Sequence, residues 1–279
     1  MANKKWYLHP VIATGILINV FILLLALAWS GNPAGLDRLL VEDGIVEWMQ
    51  FLCFSAIAGL LGFAFFERLN GKDRRGDRGV LELLALSGLS LLCALAALEE
   101  ISWFQRVLDV QSSEFFLQNN RQGETNIHNL AVGEGSLHKN VLLKLIFITG
   151  ITHNLILPLV ARAKPGVQDW VEKMGLYLPP LSASVPYLVL VALSHIFIEH
   201  PRKGELGEMF GAVHYMATVF GAYYAGVAYK RAPLFENVAD IRRLSKLFAL
   251  WMLFLLLNGW MLSAGNGAAA YAARLGAGA

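Results

Sequence analysis

The amino-acid sequence predicts an all-α integral membrane protein, a bundle of about seven transmembrane helices. Apolar residues make up 56% of the 279 residues and charged residues only 16%, whereas soluble domains carry roughly 25% charged residues. The mean hydropathy is +0.50. The apolar residues gather in runs that are long enough, or nearly so, to cross ~30 Å of hydrocarbon at ~1.5 Å per residue. These runs are residues 11–29, 45–66, 80–101, 141–161, 183–199, 207–229 and 246–263.

The first apolar run, residues 11–29, has two interpretations. It follows two lysines and contains the sequence Ala26-Leu27-Ala28, and a basic start with small residues after an apolar core is typical of a cleavable signal peptide. Its 19 residues exceed the ~7–15 residues of a signal-peptide core. We therefore expect a retained transmembrane helix.

The basic residues predict the orientation of the bundle. Fifteen of the 23 basic residues lie on one side of the predicted membrane, namely Lys4, Lys5 and those of the loops 67–79, 162–182 and 230–246. Because short cytoplasmic loops are enriched in Lys and Arg, we expect a cytoplasmic N-terminus and an outer C-terminus in the cell inner (plasma) membrane. We expect residues 1–279 to form one membrane domain, with a flexible tail at 264–279.

The acidic residues collect on the opposite side. Thirteen of the 21 lie at the predicted outer face. They flank the start of the second helix, lie in or beside the loop between helices 3 and 4, or, as Glu199, Glu205 and Glu208 do, flank the short loop after the fifth helix. The positive-inside rule does not require this bias, since acidic residues contribute little to topology. The acidic face is either a passively solvated surface or a site for a cation.

The long outer loop, residues 99–140, is expected to fold back over the bundle as a lid. Ser112-Ser113-Glu114 is typical of a helix N-cap followed by an acid in the first turn, and predicts a short helix. Gly123 and Asn126 predict a turn after it. An amphipathic turn is expected to rest at the membrane interface, formed by Trp103, Phe104, Val107 and Leu108.

Four residues are the catalytic candidates, Glu99, Glu100, Glu47 and Arg106. Glu99 and Glu100 end the third run, and partial dehydration at that depth suits a carboxylate for acid–base work or for binding a cation. The alternative is that both simply end the helix at the headgroup level. Glu47 shares a helix face with Asp43, so it either shares a cation or pairs with an arginine. Arg106 either binds a substrate phosphate or carboxylate or neutralises Glu99 or Glu47, and we favour the internal pair.

Four residues are the candidate metal ligands, His128, His195, Glu199 and His214. Imidazole and carboxylate are the usual ligands of zinc and related metals, so these residues predict a zinc-like divalent metal. His195 and Glu199 are spaced to share one helix face, and His214 lies on the next helix. The alternative is that each histidine is an interhelical hydrogen-bonding group. Axial haem ligation by His153, His195 or His214 is a weaker hypothesis.

Three sequence stretches carry a resemblance to known proteins. EEISWFQR at 99–106, NIHNL at 126–130 and EDGIVEW at 42–48 resemble a group of bacterial multi-pass membrane proteins with the pattern EEISWxQR followed by NxHN. The resemblance covers about a fifth of the chain, and it implies no activity. It implies that six residues belong together, Glu99, Glu100, Trp103, Gln105, Arg106 and His128.

Two functions follow as hypotheses from these patterns. The first is a metal-dependent membrane hydrolase or transferase acting on a lipid-linked substrate, with Glu99 or Glu100 as the acid–base group. The second is a non-enzymatic protein, either a partner subunit of a larger membrane complex or a carrier of cations or protons. Membrane lipids are expected neighbours in both. The sequence contains no P-loop and no HExxH, and no basic surface for nucleic acid.

Overall fold

The structure is a computed structural model that describes residues 9–41, 43–70, 80–174, 176–224 and 241–266. Nearly all regular structure in these ranges is helical. The α-helices are α1 (Pro10–Trp29), α2 (Pro33–Leu40), α3 (Ile45–Leu69), α4 (Val80–Glu100), α5 (Gln105–Leu108), α6 (Glu114–Asn119), α7 (Leu143–Ile151), α8 (Leu157–Ala163), α9 (Pro165–Lys173), α10 (Leu181–Phe197), α11 (Gly204–Val219) and α12 (Ile241–Asn266).

Short elements of other types join these helices. Ser102–Phe104 forms a single tight turn between α4 and α5. Two short strands, β1 (Ala131–Val132) and β2 (Gly135–Ser136), pair antiparallel as a hairpin. Three π-helical turns continue the helices around them, and such turns bend a helix locally. They are His138–Leu142 before α7, Thr152–Ile156 between α7 and α8, and Phe220–Tyr224 after α11.

Caps explain where the first two helices begin. Pro10 is the first residue of α1, where its missing N–H is tolerated, and His9 accepts a hydrogen bond from Val11 N at 3.2 Å. Pro33 opens α2 in the same way, and Asn32 Oδ1 accepts a hydrogen bond from Gly35 N at 3.3 Å. The local sequence therefore determines where α1 and α2 begin.

Five stretches are long and apolar enough to cross a membrane, which confirms the predicted multi-pass character at that level. They are Pro10–Trp29, Ala34–Leu69, Val80–Glu100, Asn140–Ala163 and Lys246–Ser263. The fifth predicted run is α10, an apolar helix of 17 residues. The sixth coincides with α11 and its π-helical turn, and its end at 225–229 lies outside the described residues. The seven-helix count and the orientation stay predictions.

Several other predictions also lie outside the described residues. These are the basic residues of 71–79 and 230–240, Lys4 and Lys5, Glu42, and the tail from 267 onward.

The apolar core lies where α1, α3, α10, α11 and α12 meet. α3 packs against α4, α11 and α12, and α11 also packs against α1 and α10. Gly207 and Gly211 of α11, four residues apart, let α10 approach closely: Cβ positions built on them would lie 3.6 Å from the His195 ring and 3.2 Å from Tyr187 Oη. Such small-residue spacing is typical of close helix contacts in membranes. The largest fully buried side chains include Trp48, Phe210 and Phe248.

Residues 101–137, called the loop segment below, pack on the end of the bundle at which α3 begins and α4 ends. The Phe104 ring meets Phe51 of α3 edge-on with centroids 5.5 Å apart. The predicted short helix is present as α6, with Ser113 at its N-cap position. The predicted turn is also present, with Gly123 at φ +69°. The loop segment therefore joins the end of α4 to the π-helical turn that precedes α7.

Candidate functional site

Three carboxylates from two distant helices form the centre of the candidate site. Glu100 is the last residue of α4, and Glu205 and Glu208 lie in the first two turns of α11. One oxygen of each lies within 4.8 Å of the others. Glu205 and Glu208 share a helix face because they are three residues apart, and α3 lies against both α4 and α11. We call Glu100, Glu205 and Glu208 the acidic site.

Gln50 of α3 adds an amide to the acidic site. Its side chain is fully buried, and its Nε2 donates to the backbone oxygen of Glu205 at 3.0 Å. Its Oε1 has no hydrogen-bond donor among the described residues. A buried amide oxygen without a partner costs about 1–3 kcal/mol, so this atom is a candidate ligand for a group other than the described residues.

Glu100 is the carboxylate of the acidic site with the fewest partners. Among the residues that the structure describes, no donor forms a hydrogen bond with its side chain. Instead, it interacts electrostatically with the like charges of Glu208, Glu205 and Glu47. Like charges at this separation repel unless a cation or a proton lies between them. The acidic site thus combines crowded negative charge with an unsatisfied amide oxygen.

His138 contacts the other side of the acidic site. It opens the π-helical turn after the β1–β2 hairpin, and its Nε2 lies 3.2 Å from Glu208 Oε1. Its backbone N–H donates to His128 O at 2.8 Å. Burial, followed by the charge of Glu208, raises the pKa of Glu205 to about 7 from its ordinary value of 4.5, against the opposing effects of Arg202, Gln50 and His138.

Arg106 lies in a cage of three acids. Its Nε and Nη2 donate to Asp43 Oδ2 and Oδ1 at 2.7 and 2.8 Å, and its Nη1 donates to Glu124 Oε2 at 2.6 Å. Its Nη2 also donates to Glu47 Oε1 at 2.9 Å. Burial opposes the charge, but the hydrogen bonds to Asp43 and the charges of Glu47 and Glu124 raise the pKa of Arg106 above its ordinary value. Arg106 is therefore paired inside the protein, and of the two partners that the sequence left open, Glu99 and Glu47, it contacts Glu47.

Glu47 connects the Arg106 cage to the acidic site. One carboxylate oxygen accepts from Arg106, and the other accepts from Asp43 N at 2.5 Å. Glu47 precedes Gln50 by three residues on α3, so both face the same side of the helix. It interacts electrostatically with both Glu100 and Glu205.

A left-handed turn directs Arg106 back towards α3. Ser102, Trp103 and Phe104 have φ of +47°, +55° and +60°, a conformation that costs L-residues roughly 1–2 kcal/mol each. Ser102 Oγ donates to Glu124 Oε2 at 2.6 Å, and Trp103 Nε1 donates to Glu99 Oε1 at 2.8 Å. These contacts and the Arg106 cage offset the backbone strain.

Glu99 and Glu100 are neighbours in sequence with different partners. Glu99 accepts from Trp103 Nε1 at 2.8 Å, Ile127 N at 2.7 Å and His128 N at 3.1 Å, and it also contacts His128 Nδ1 at 3.3 Å. It therefore fastens the loop segment to the end of α4. Glu100 instead belongs to the acidic site, close to Glu205 and Glu208.

The structure brings the residues of the resemblance into one region. Glu99 contacts Trp103 and His128, as described above. Gln105 accepts from Thr125 N and donates to Ser112 Oγ, each at 2.6 Å. These bonds connect Gln105, next to Arg106, with the middle of the loop segment.

The three histidines among the four candidate metal ligands form hydrogen bonds with different partners, and none of these hydrogen bonds joins two of the candidates. His128 contacts Glu99, and His195 Nδ1 lies 3.0 Å from Val191 O. Among the described His, Cys, Asp and Glu residues, the group of three with closely spaced ligand atoms is the acidic site. The expectation that His195 and Glu199 share a helix face is wrong, because α10 ends at Phe197 and Ile198 is extended.

His214 belongs to a buried polar network inside the bundle. Its Nε2 lies 2.8 Å from Asn154 Oδ1, and its ring stacks on Tyr187 at 4.7 Å. Asn154 Nδ2 donates to Tyr215 Oη at 2.7 Å, and Ser184 Oγ donates to Asn154 Oδ1 at 3.4 Å. This is the interhelical hydrogen-bonding role that the sequence left open for a membrane histidine.

Sequence reasoning missed the second half of the acidic site. Glu205 and Glu208 entered only as acids that flank a loop, and Gln50 and His138 were not considered. Two signals were present: the i, i+3 spacing of the two glutamates, and a polar Gln50 one turn after Glu47 in an apolar run.

Comparison of the chain with protein-family models, curated proteins and solved structures gave no match.

Proposed function

We propose that this protein is an integral membrane enzyme that uses a divalent cation at the acidic site to hydrolyse, or transfer a group from, a lipid-linked substrate. The observation that carries the proposal is the approach of Glu100, Glu205 and Glu208 to within 4.8 Å of one another, beside Gln50, whose buried Oε1 has no hydrogen-bond donor among the described residues. A cation relieves the repulsion and satisfies the amide oxygen in one step.

The donor set favours an oxygen-preferring cation. Three carboxylates and one amide oxygen are the ligands that Mg²⁺, Mn²⁺ and Ca²⁺ prefer. The zinc-like metal predicted from histidines is less well supported, because His138 is the one imidazole beside the acidic site in the described chain and it contacts Glu208. Such a cation supplies a bound water of lowered pKa as nucleophile.

The residues around the acidic site suggest how protons are handled. His138 contacts Glu208 and is half-buried, so its imidazole can carry a proton between the site and the surface. Arg106 is held away from substrate by Asp43, Glu47 and Glu124 and acts as a positioning residue for Glu47. Glu99 holds the loop segment and has no role in the reaction itself.

The proposed topology has seven spans, with a cytoplasmic N-terminus in the inner membrane of a bacterium. The end of α4 and the starts of α3 and α11 meet at the acidic site. The opposite ends of α3 and α4 flank the basic loop 67–79. The positive-inside rule then places the acidic site at the outer face, in reach of outer-leaflet lipids.

The test is cation binding by the purified, detergent-solubilised full chain. We expect titration calorimetry with Mg²⁺, Mn²⁺, Ca²⁺ and Zn²⁺ to show saturable binding of an oxygen-preferring cation. Glu100→Gln and Glu208→Gln should abolish it. Glu114→Gln is the matched control, because Glu114 is an exposed acid of α6 that contacts only Gln118 in the described structure. A wild-type protein that binds none of the four cations would refute the proposal, and binding would justify a screen of lipid-linked substrates.

A second candidate function is a carrier of protons or cations. The observation in its favour is the polar network of His214, Asn154, Tyr215 and Ser184 inside the bundle, since polar groups at membrane depth often mark ion or proton pathways. Cation-dependent proton flux in proteoliposomes, lost in His214→Leu, would support this function over the enzyme. Stable co-purification of another membrane protein would instead support a subunit role.

A further inference from the structure

The loop segment has an inverted distribution of polarity. Of its seven buried residues, six are polar: Ser102, Arg106, Ser112, Asn120, Asn126 and Ser136. Eight of its large apolar side chains are exposed instead, at 37–67% of their surface. They are Trp103, Val107, Leu108, Val110, Phe115, Leu117, Ile127 and Val132. Buried polar groups together with a large exposed apolar surface are unusual for a water-soluble segment.

Most of the buried polar side chains of the loop segment form hydrogen bonds with one another. Asn126 Nδ2 donates to Ser102 Oγ at 2.8 Å, and Asn120 Nδ2 donates to Asn126 O at 2.9 Å. Arg106 has the three acid partners described above. The arrangement is therefore a specific fold with its hydrogen bonds turned inward, as a non-aqueous environment requires.

The exposed apolar surface continues the surface of α4. Glu99, Leu95 and Leu92 share one face of that helix because they are three or four residues apart. Leu92 and Leu95 are exposed, as the lipid-facing side of a spanning helix would be. Trp103 is bonded to Glu99, so its ring lies at the top of this face with its N–H on a carboxylate. Tryptophan at the end of a lipid-facing surface is typical of the membrane interface.

Charged residues on the loop segment limit its depth. Asp109, Glu114, Arg121 and Glu134 are exposed among the apolar side chains. A surface that mixes large apolar groups with charges fits the boundary between headgroups and acyl chains, about 5–10 Å into the leaflet, better than the hydrocarbon centre.

We propose that the exposed apolar surface of the loop segment is immersed in the lipid leaflet at the headgroup–acyl boundary, while the charged turn of the β1–β2 hairpin at Glu134 faces the aqueous side. Its partner is the bilayer itself, through the exposed residues Trp103, Val107, Leu108, Val110, Phe115 and Leu117. The acidic site beside it then lies within the lipid layer, so that a lipid reaches it sideways without leaving the membrane. This placement in the leaflet follows from the polarity of the segment, and it does not require a cation at the acidic site.

The test is spin labelling of the full chain in vesicles of phosphatidylcholine and phosphatidylglycerol. Cys53 and Cys93 are first replaced by alanine, and Leu108→Cys and Phe115→Cys then introduce single labels on the apolar surface. Glu134→Cys is the matched control, because Glu134 lies in the hairpin turn and is exposed and charged. We expect collisions with oxygen, which concentrates among acyl chains, to exceed those with a water-soluble nickel chelate at the Leu108 and Phe115 positions. The opposite order is expected at Glu134.

Two results would overturn the proposal. Access of the nickel chelate to the Leu108 and Phe115 positions, equal to that at Glu134, would place the segment in water. Low access of both reagents would show that protein covers the surface, such as a second copy of this chain. Val107→Cys replaces either label if a variant aggregates, since Val107 lies on the same surface. Cation titration of the labelled proteins tests the proposed function separately.

Discussion

The bundle and the loop segment are built on opposite principles. The interior of the bundle is mostly apolar, with Phe210, Phe248 and Met49 fully buried. The interior of the loop segment is polar and is organised around Arg106. The first depends on packing that tolerates a change of apolar side chain, whereas the second depends on charges that are satisfied only as a complete set.

This difference has a consequence for the acidic site. The bundle brings α4 and α11 together and so creates the cluster of carboxylates. The loop segment supplies Arg106, which holds Glu47 through its carboxylate, and leads directly into His138, which contacts Glu208. Disruption of the polar interior of the loop segment should therefore disturb the surroundings of the acidic site without unfolding the bundle.

The largest expected effect is that of Arg106→Leu. It leaves Asp43, Glu47 and Glu124 without their shared cation, and breaking a buried pair in this way costs about 3–5 kcal/mol. We expect amide hydrogen exchange to rise throughout the loop segment while α1 and α12 stay protected. Arg121→Leu is the control: Arg121 is exposed and donates to Gly135 O, so it should cost about 0.5–1.5 kcal/mol. Equal losses in the two variants would mean that the cage adds little stability.

Glu99→Ala and Glu100→Gln should have different effects, because the two adjacent carboxylates have different partners. Glu99→Ala removes a charged acceptor of several hydrogen bonds and should cost about 1.5–3 kcal/mol, seen as faster exchange at Ile127 and His128. It should leave cation binding intact. Glu100→Gln should abolish cation binding and leave exchange in the loop segment unchanged. The same outcome in both variants would show that the loop segment and the acidic site are not separate units.

The fold was predictable wherever its signal was local. Apolar runs predict spans because the backbone of a crossing segment must be helical, and five such stretches are present. Ser113 and Gly123 predicted α6 and the turn after it from cap and turn chemistry. The end of α10 was missed, because Ile198 and Glu199 continue a pattern that the backbone does not follow.

The acidic site was only half predictable, because its halves come from opposite parts of the chain. Glu100 ends an apolar run and is visible as a candidate. Its approach to Glu205 is set by how α3 packs between α4 and α11, which no spacing in the sequence reveals. The left-handed turn at Ser102–Phe104 was equally hidden, since it contains no glycine, the usual signal for positive φ.

A smaller effect is expected from pH, through Glu205. Its pKa is raised from 4.5 to about 7, first by burial and then by Glu208, so the folded state holds this proton more tightly than the unfolded state. The free energy of unfolding of the cation-free protein should therefore fall between about pH 4.5 and about pH 7. Glu205→Gln should reduce that slope. Cation affinity should show the opposite trend and rise over the same range, because the ligand must be deprotonated. A slope that is unchanged in Glu205→Gln would assign the pH dependence to another group.

The smallest expected effect is that of Leu108→Ser in detergent. Leu108 is 67% exposed, so its loss should change the free energy of unfolding by less than about 0.5 kcal/mol. The matched substitution in the bundle is Leu206→Ser, where the side chain is fully buried and removal should cost about 2–5 kcal/mol. In lipid vesicles the comparison changes, because a serine at position 108 gives up contact with acyl chains. A larger loss for Leu108→Ser in vesicles than in detergent would therefore show that the surrounding leaflet stabilises the loop segment, whereas equal small losses in both would leave the inverted polarity without an energetic role.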